Sequence, residues 1–296
     1  MFDLDQYLNS KRKLINANLK EIMQSTSNSQ RLLKAMQYSL MAGGKRLRPV
    51  LCIAAAEVIG DQNKDIIKAA CALEMIHTYS LIHDDLPVMD DDDLRRGKPT
   101  CHIAFDEATA LLAGDALLTL AFQMLSGNEI KSDEQALKRL RVYNRIAHAV
   151  GYQGMIEGQM RDIDAEDSLI TLDELREFHA LKTGALIEAS VYTGAVLGGS
   201  NNEQLDLLVT FANNIGLAFQ VKDDILNVEG DPVLLGKAVG TDKIRKKSTY
   251  PSLMGLEKSK TFAKKLVNQA LKAIESFNDR ADPLRAIANY IVQRKR

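Results

Sequence analysis

A chain of 296 residues with 46% hydrophobic and 26% charged residues can bury a sizeable core, and no composition shift marks a seam, so residues 1–296 read as one domain. A formal net charge of −1 excludes a general nucleic-acid or anionic-membrane surface and confines phosphate binding to local clusters. Cys52, Cys71 and Cys101 lack metal-type spacing, the N-terminus MFDLDQYLNSKRK lacks an apolar signal core, and no apolar run is expected to cross a membrane; together these predict a cytoplasmic protein.

Leu4, Leu8, Ile15, Leu19 and Ile22 recur at helical spacing over 3–24, and the polar run STSNS ends that helix. A second helix, about 30–41, runs into Gly43-Gly44, after which GGKRLRP puts Lys45, Arg46 and Arg48 on a loop suited to close approach of an anion. A short helix and a polar turn lead to a long helix from about 65, which Pro87 must end or kink near Asp84 and Asp85. ALLAGDALLTLAFQML, within a helix near 105–125, is apolar on most sides and is expected to be buried. Ser132 with Gln135 and Thr171 with Glu174 read as capping boxes opening two further helices, the second closed by Gly198-Gly199. A helix over about 203–229 ends at Gly230, a basic irregular stretch spans Leu235 to Ser248, and two helices follow. The prediction is all-α, with roughly ten helices and no convincing strand.

The stretch His77–Pro99 sets six Asp and two adjacent Arg behind an apolar run. Carboxylates taken from water need cations, two arginines cannot balance six, and a multivalent metal is the simplest remaining counter-charge. A metal that also holds a polyphosphate would explain the arginines. In an unbroken helix Asp90 would point about 120° away from Asp84, at about 100° per residue; a break at Pro87 is what could let them converge. His77 lies about two turns before Asp84 on the same face. A second acidic pair, Asp223-Asp224, sits inside the otherwise apolar FQVKDDILN. A solvated acidic loop is the bland reading, weakened by this recurrence. Ligand spacing excludes an EF-hand, and no Cys/His grouping suggests zinc. His83-Asp84 keeps an HD-type phosphohydrolase as a remote alternative.

GGKRLRP at 43–49, LIHDDLPVMDDDDLRRGKPT at 81–100, LLAGDALL at 111–118, KTGAL at 182–186 and FQVKDDIL at 219–226 follow one another in an order that resembles the trans-isoprenyl diphosphate synthases, above all the bacterial-type farnesyl diphosphate synthases. The resemblance implies a bundle of roughly ten or more helices around a central cavity and a prenyltransferase that joins isopentenyl diphosphate to dimethylallyl or geranyl diphosphate, giving farnesyl diphosphate. It implies a trinuclear Mg²⁺ cluster on Asp84, Asp85 and Asp90 from one wall and Asp223 and Asp224 from the other. Arg95, Lys182 and Lys237 would contact the allylic diphosphate; Lys45, Arg48, His77 and Arg96 would hold isopentenyl diphosphate. Thr183, Gln220 and the Lys182 carbonyl are implied stabilisers of the allylic cation. Asp242 and Lys247 match a loop expected to order over bound diphosphate, Arg294 and Arg296 a basic closing tail, and Gln159 and Asp162 a supporting block.

Asn227 stands where the second acidic motif usually ends in Asp; it keeps an oxygen acceptor without the charge, so metal affinity is expected to weaken. Product length is implied to be limited by Tyr79, five positions before Asp84, although the helical wheel puts Ser80 nearer the Asp84 face. The remaining readings are a geranylgeranyl-length synthase, a terpene cyclase, or a non-catalytic partner subunit of a longer-chain synthase. The resemblance also implies a homodimer.

Overall fold

The computed structural model of the chain describes residues 2–25, 30–60, 63–127, 130–165, 170–230 and 248–294. Helices dominate: α1 (Leu4–Ser25), α2 (Gln30–Leu40), α3 (Leu47–Ile59), α4 (Lys64–Asp84), α5 (Cys101–Ala104), α6 (Glu107–Ser126), α7 (Asp133–Val150) and α8 (Met155–Asp164). Then follow α9 (Leu172–His179), a π-helical turn (Ala180–Gly184), α10 (Ala185–Gly198), α11 (Asn202–Glu229), α12 (Tyr250–Met254), α13 (Leu256–Ala273), a 3₁₀ turn (Asp279–Ala281) and α14 (Asp282–Gln293). The all-α prediction holds, with boundaries close to those expected.

α3, α4 and α10 are buried on most sides, which is why their sequences show little amphipathic pattern. They pack on one another, with α11 against α10 and α13 and with α6 against α4. α3 and α4 are also pinned by a buried ion pair. Arg46, just before α3, donates to Glu74 Oε1 at 2.6 Å, to the Leu40 carbonyl at 2.6 Å and to Asn16 Oδ1 at 3.0 Å. Arg46 is therefore a clamp of the bundle, and Arg48, expected on the loop, lies in the first turn of α3.

The Thr171–Glu174 capping box is complete, whereas Ser132 caps Gln135 N but the Gln135 side chain bonds Lys131 N and Asp65. The helix expected from Thr171 to Gly198 carries the π turn in its middle. Leu94–Arg95 and Lys98–Pro99 pair as a minimal antiparallel hairpin that the all-helix reading missed. Arg96 (φ 54) and Gly97 (φ 74) both take positive φ at its turn, as a two-residue hairpin loop of that hand requires.

α6 departs from its expected burial. Ala110, Ala113, Gly114, Leu117 and Ala121 face the bundle, while Leu111 and Leu112 are 47% and 56% exposed. By length and composition alone α6 could also cross a membrane, contrary to expectation, with 39% of the span buried inside the protein.

Candidate active site

Pro87 does end the helix, and the chain turns back on itself there. Asp85 N bonds the Leu81 carbonyl, Met89 N the Leu86 carbonyl at 2.9 Å, and Asp90 N the Asp84 carbonyl at 2.8 Å. Asp90 thus returns beside Asp84 across the break. Burial pushes the half-buried Asp84 carboxyl up to about 6; Asp90 and Asp85 add to the rise, while Lys182 and Arg95 oppose it. A carboxylate held this high lacks sufficient cationic charge around it.

Asp85, adjacent in sequence, does something else. It is buried, and Arg95 Nε donates to its Oδ1 at 2.6 Å, with Asp92 3.4 Å from the same guanidinium. Asp85, expected among the metal ligands, is engaged here by Arg95. One residue along a helix is a rotation of about 100°, so neighbouring Asp side chains cannot share a face.

The basic group gathers about two turns below. His77, Arg48 and Arg96 see one another's charge: burial lowers the His77 imidazole well below its usual value, and Arg48, Arg96, Arg95 and Arg46 add to that. Burial also lowers Arg48, to about 10, against the pull of Glu74 and Asp223. Arg48 Nε is sealed from solvent and has no hydrogen-bond partner among the described residues. Arg96 donates to the Gly43 carbonyl, and its guanidinium lies where a Cβ on Gly44 would stand, 2.6 Å from Cζ; with φ at 112°, only glycine fits Gly44. Lys45 is exposed, its ammonium 6.0 Å from the Tyr290 ring of α14.

The facing wall is built from the π turn and α11. Lys182 Nζ donates to Asp162 Oδ2 of α8 at 2.6 Å, close enough to Asp84 to oppose its rise. Thr183 Oγ1 donates to Gln220 Oε1 at 3.1 Å, Gln220 Nε2 donates to Asp224 Oδ1 at 3.1 Å, and Tyr250 N donates to Asp224 Oδ2 at 3.0 Å. Asp224, expected among the metal ligands, is buried with both carboxylate oxygens engaged, and it orients Gln220. Asp223, turned about 100° from it, faces Arg294, which donates to Asp223 Oδ1 at 2.6 Å and to the Phe219 carbonyl at 3.0 Å, and stacks 4.1 Å over the Phe219 ring. Asn227 is buried on the same helix.

Tyr79 is buried on α4, its phenol pushed up to about 12 by burial and the Asp84 charge. Ser80 Oγ donates to the His77 carbonyl at 3.0 Å. Gln159 lies half-buried on α8 near Asp162. Lys237, Asp242, Lys247 and Arg296 lie outside the described residues. Sequence reasoning missed the Asp223–Arg294 pair and the Asp162 anchor of Lys182. The helical period could have separated each Asp from its neighbour; the long-range partners left no local signal.

Residues 29–290 match the polyprenyl synthetase family. The chain is similar to farnesyl diphosphate synthase of Bacillus subtilis (strain 168), 44% identical over 291 residues and 98% of each protein. It is also similar to the heterodimeric geranylgeranyl pyrophosphate synthase large subunit 1, chloroplastic, of Arabidopsis thaliana, 46% identical over 99% of this chain and 80% of that protein. Among solved structures, the apo FPP/GFPP synthase of Zymomonas mobilis superposes with a TM-score of 0.85 at 40% identity, covering 98% of each chain.

Proposed function

This chain belongs to the polyprenyl synthetase family, and from that premise we propose that it condenses isopentenyl diphosphate with dimethylallyl and geranyl diphosphate to give farnesyl diphosphate. The observation that carries the reading is the pairing of two subsites in one helical bundle. Asp84, raised by burial beside Asp90, is close enough to Lys182 to feel its charge, and Arg48, His77 and Arg96 form a basic group in which the buried Arg48 Nε has no hydrogen-bond partner among the described residues.

The residues present fit Mg²⁺. Among the described residues no three His, Cys, Asp or Glu side chains converge as a closed metal cage. Mg²⁺ does not need one, since it usually takes one or two carboxylates and completes its shell with water and phosphate oxygens. Asp84 and Asp90 would hold it from one wall and Asp223 from the other. When bound, the metal neutralises the charge that grows on departing diphosphate.

Arg95, fixed by Asp85, and Lys182, on loan from Asp162, take the allylic diphosphate. Lys45, Arg48 and Arg96 take the isopentenyl diphosphate, with His77 held neutral beside them as a hydrogen-bonding group. Ionisation breaks the allylic C–O bond and leaves a carbocation. Thr183 Oγ1, the Gln220 amide oxygen and the Lys182 carbonyl turn the negative ends of their dipoles toward it, and the Gln220–Asp224–Tyr250 chain fixes that amide. Apolar helices exclude water from the cation. The isopentenyl double bond attacks to form the new C–C bond, and the proton lost from the adduct goes to the departed diphosphate, so the chain supplies no dedicated base.

Tyr79 closes the pocket below Asp84 and sets a C15 product. The Leu111–Leu112 face of α6, with exposed Leu137 and Leu140 on α7, is the seam of a homodimer. A cytoplasmic setting accords with three buried, free cysteines. The test is incubation with Mg²⁺, labelled isopentenyl diphosphate and geranyl diphosphate, with chromatography of the products. Farnesyl diphosphate as the main product upholds the reading; C20 keeps the chemistry and rejects the length; no condensation by folded protein points to a partner subunit.

A further inference from the structure

His83 precedes Asp84, and no step above uses it. Its Nε2–H donates to the Leu111 carbonyl of α6 at 3.0 Å, which fixes the tautomer, and the Asp115 carboxylate lies 3.8 Å from the same nitrogen. On its other side the imidazole meets the Tyr79 ring edge-on, centroids 5.6 Å apart at 81°. The two rings are four residues apart and so stack along one face of α4.

Gly114 makes room for this arrangement. A Cβ there would stand 2.5 Å from His83 Cδ2 and nearer still to Nε2. Glycine is disfavoured inside a helix, and α6 carries this one on its packed face. Tyr79 has two rotatable side-chain torsions, and a helix permits it two χ1 wells. The imidazole, between Tyr79 and α6, packs against the phenol ring edge-on and restricts it on that side.

We propose that His83 is a positioning residue for product length: seated in the notch of Gly114 and tied to the Leu111 carbonyl, it holds Tyr79 in the orientation that closes the chain pocket. The inference rests on Tyr79 being that floor. Removing the imidazole opens a space beside the phenol ring, the ring swings into it, and a longer prenyl chain is admitted. A Cβ on Gly114 acts from the other helix by driving the imidazole out of its seat.

The experiment compares the C20-to-C15 product ratio, from geranyl diphosphate and isopentenyl diphosphate with Mg²⁺, for wild type, Tyr79→Ala, His83→Ala, Gly114→Ala and His83→Ala/Gly114→Ala. Read at matched conversion of geranyl diphosphate, this ratio does not depend on how much enzyme is active, so a merely structural loss leaves it unmoved. His83→Ala and Gly114→Ala are each expected to raise it by roughly tenfold, the factor one aromatic edge contact can supply at its upper range. In the double variant the Gly114→Ala effect should vanish, because the group it displaces is gone. Tyr79→Ala lengthening the product while His83→Ala and Gly114→Ala keep C15 overturns the inference and leaves the floor intact. Tyr79→Ala keeping C15 overturns both. Should His83→Ala disturb Asp84 or fail to fold, Gly114→Ala, which acts from α6 and leaves the acidic motif's own residues unchanged, decides the matter in the same way.

Discussion

Asp84 and His77 share one face of α4 and carry opposite electrostatic problems. Asp84 is a carboxylate raised to about 6 by burial, so ionising it at neutral pH opposes folding. Asp84→Ala is therefore expected to abolish turnover, by about three orders of magnitude or more, without lowering the thermal midpoint of the metal-free protein. Near-normal rates in the steady-state assay would remove Asp84 from the site. His77 is an imidazole kept neutral by burial and by the arginines around it. Its folded pKa lies below the ordinary 6.5, so as pH falls below 6.5 the unfolded chain binds a proton that the folded one refuses. Stability contributed by this group is present above pH 6.5 and is lost on acidification. Urea midpoints of wild type and His77→Gln should accordingly converge or cross as pH drops from 7 to 5, with the variant less pH-dependent.

At the scale of elements, the site stands on three devices. The Pro87 break returns Asp90 to Asp84, the hairpin at Arg96-Gly97 aims two arginines, and the π turn inserts Lys182 and Thr183 into the line of α9 and α10. The first was legible from a proline and a helical period. The hairpin left a weak signal, because two residues per strand show no alternation. The π turn left none, since its residues ALKTG would also suit an α-helix. The clamp between α3 and α4 is a fourth device. Glu74→Ala strands the buried Arg46 guanidinium, and breaking a buried pair in this way costs about 3–5 kcal/mol. Equilibrium urea unfolding should show it as a lower midpoint with an unchanged slope, and the GGKRLRP loop, whose Arg46 the pair anchors, should lose protection in hydrogen exchange.

Across the whole molecule, one feature runs against a closed globule: Leu111 and Leu112 on α6 and Leu137 and Leu140 on α7 lie open to solvent. Buried in a second copy, they would form an isologous seam. Leu112→Glu is expected to turn a dimer into a monomer in sedimentation velocity, with little change in helical content; an unaltered sedimentation coefficient would place the seam elsewhere. The sequence by itself determined the helical class, most helix boundaries, the Asp84–Asp90 corner and the basic group, because each follows from period, proline, glycine and charge within a few turns. Only the tertiary structure decided which partner each member of the acidic pairs takes. It gave Asp85 to Arg95, Asp224 to Gln220 and Tyr250, Asp223 to Arg294, and His83 to α6. Those partners lie up to 71 residues away, and a contact between distant segments is fixed by how helices pack, which no local pattern encodes.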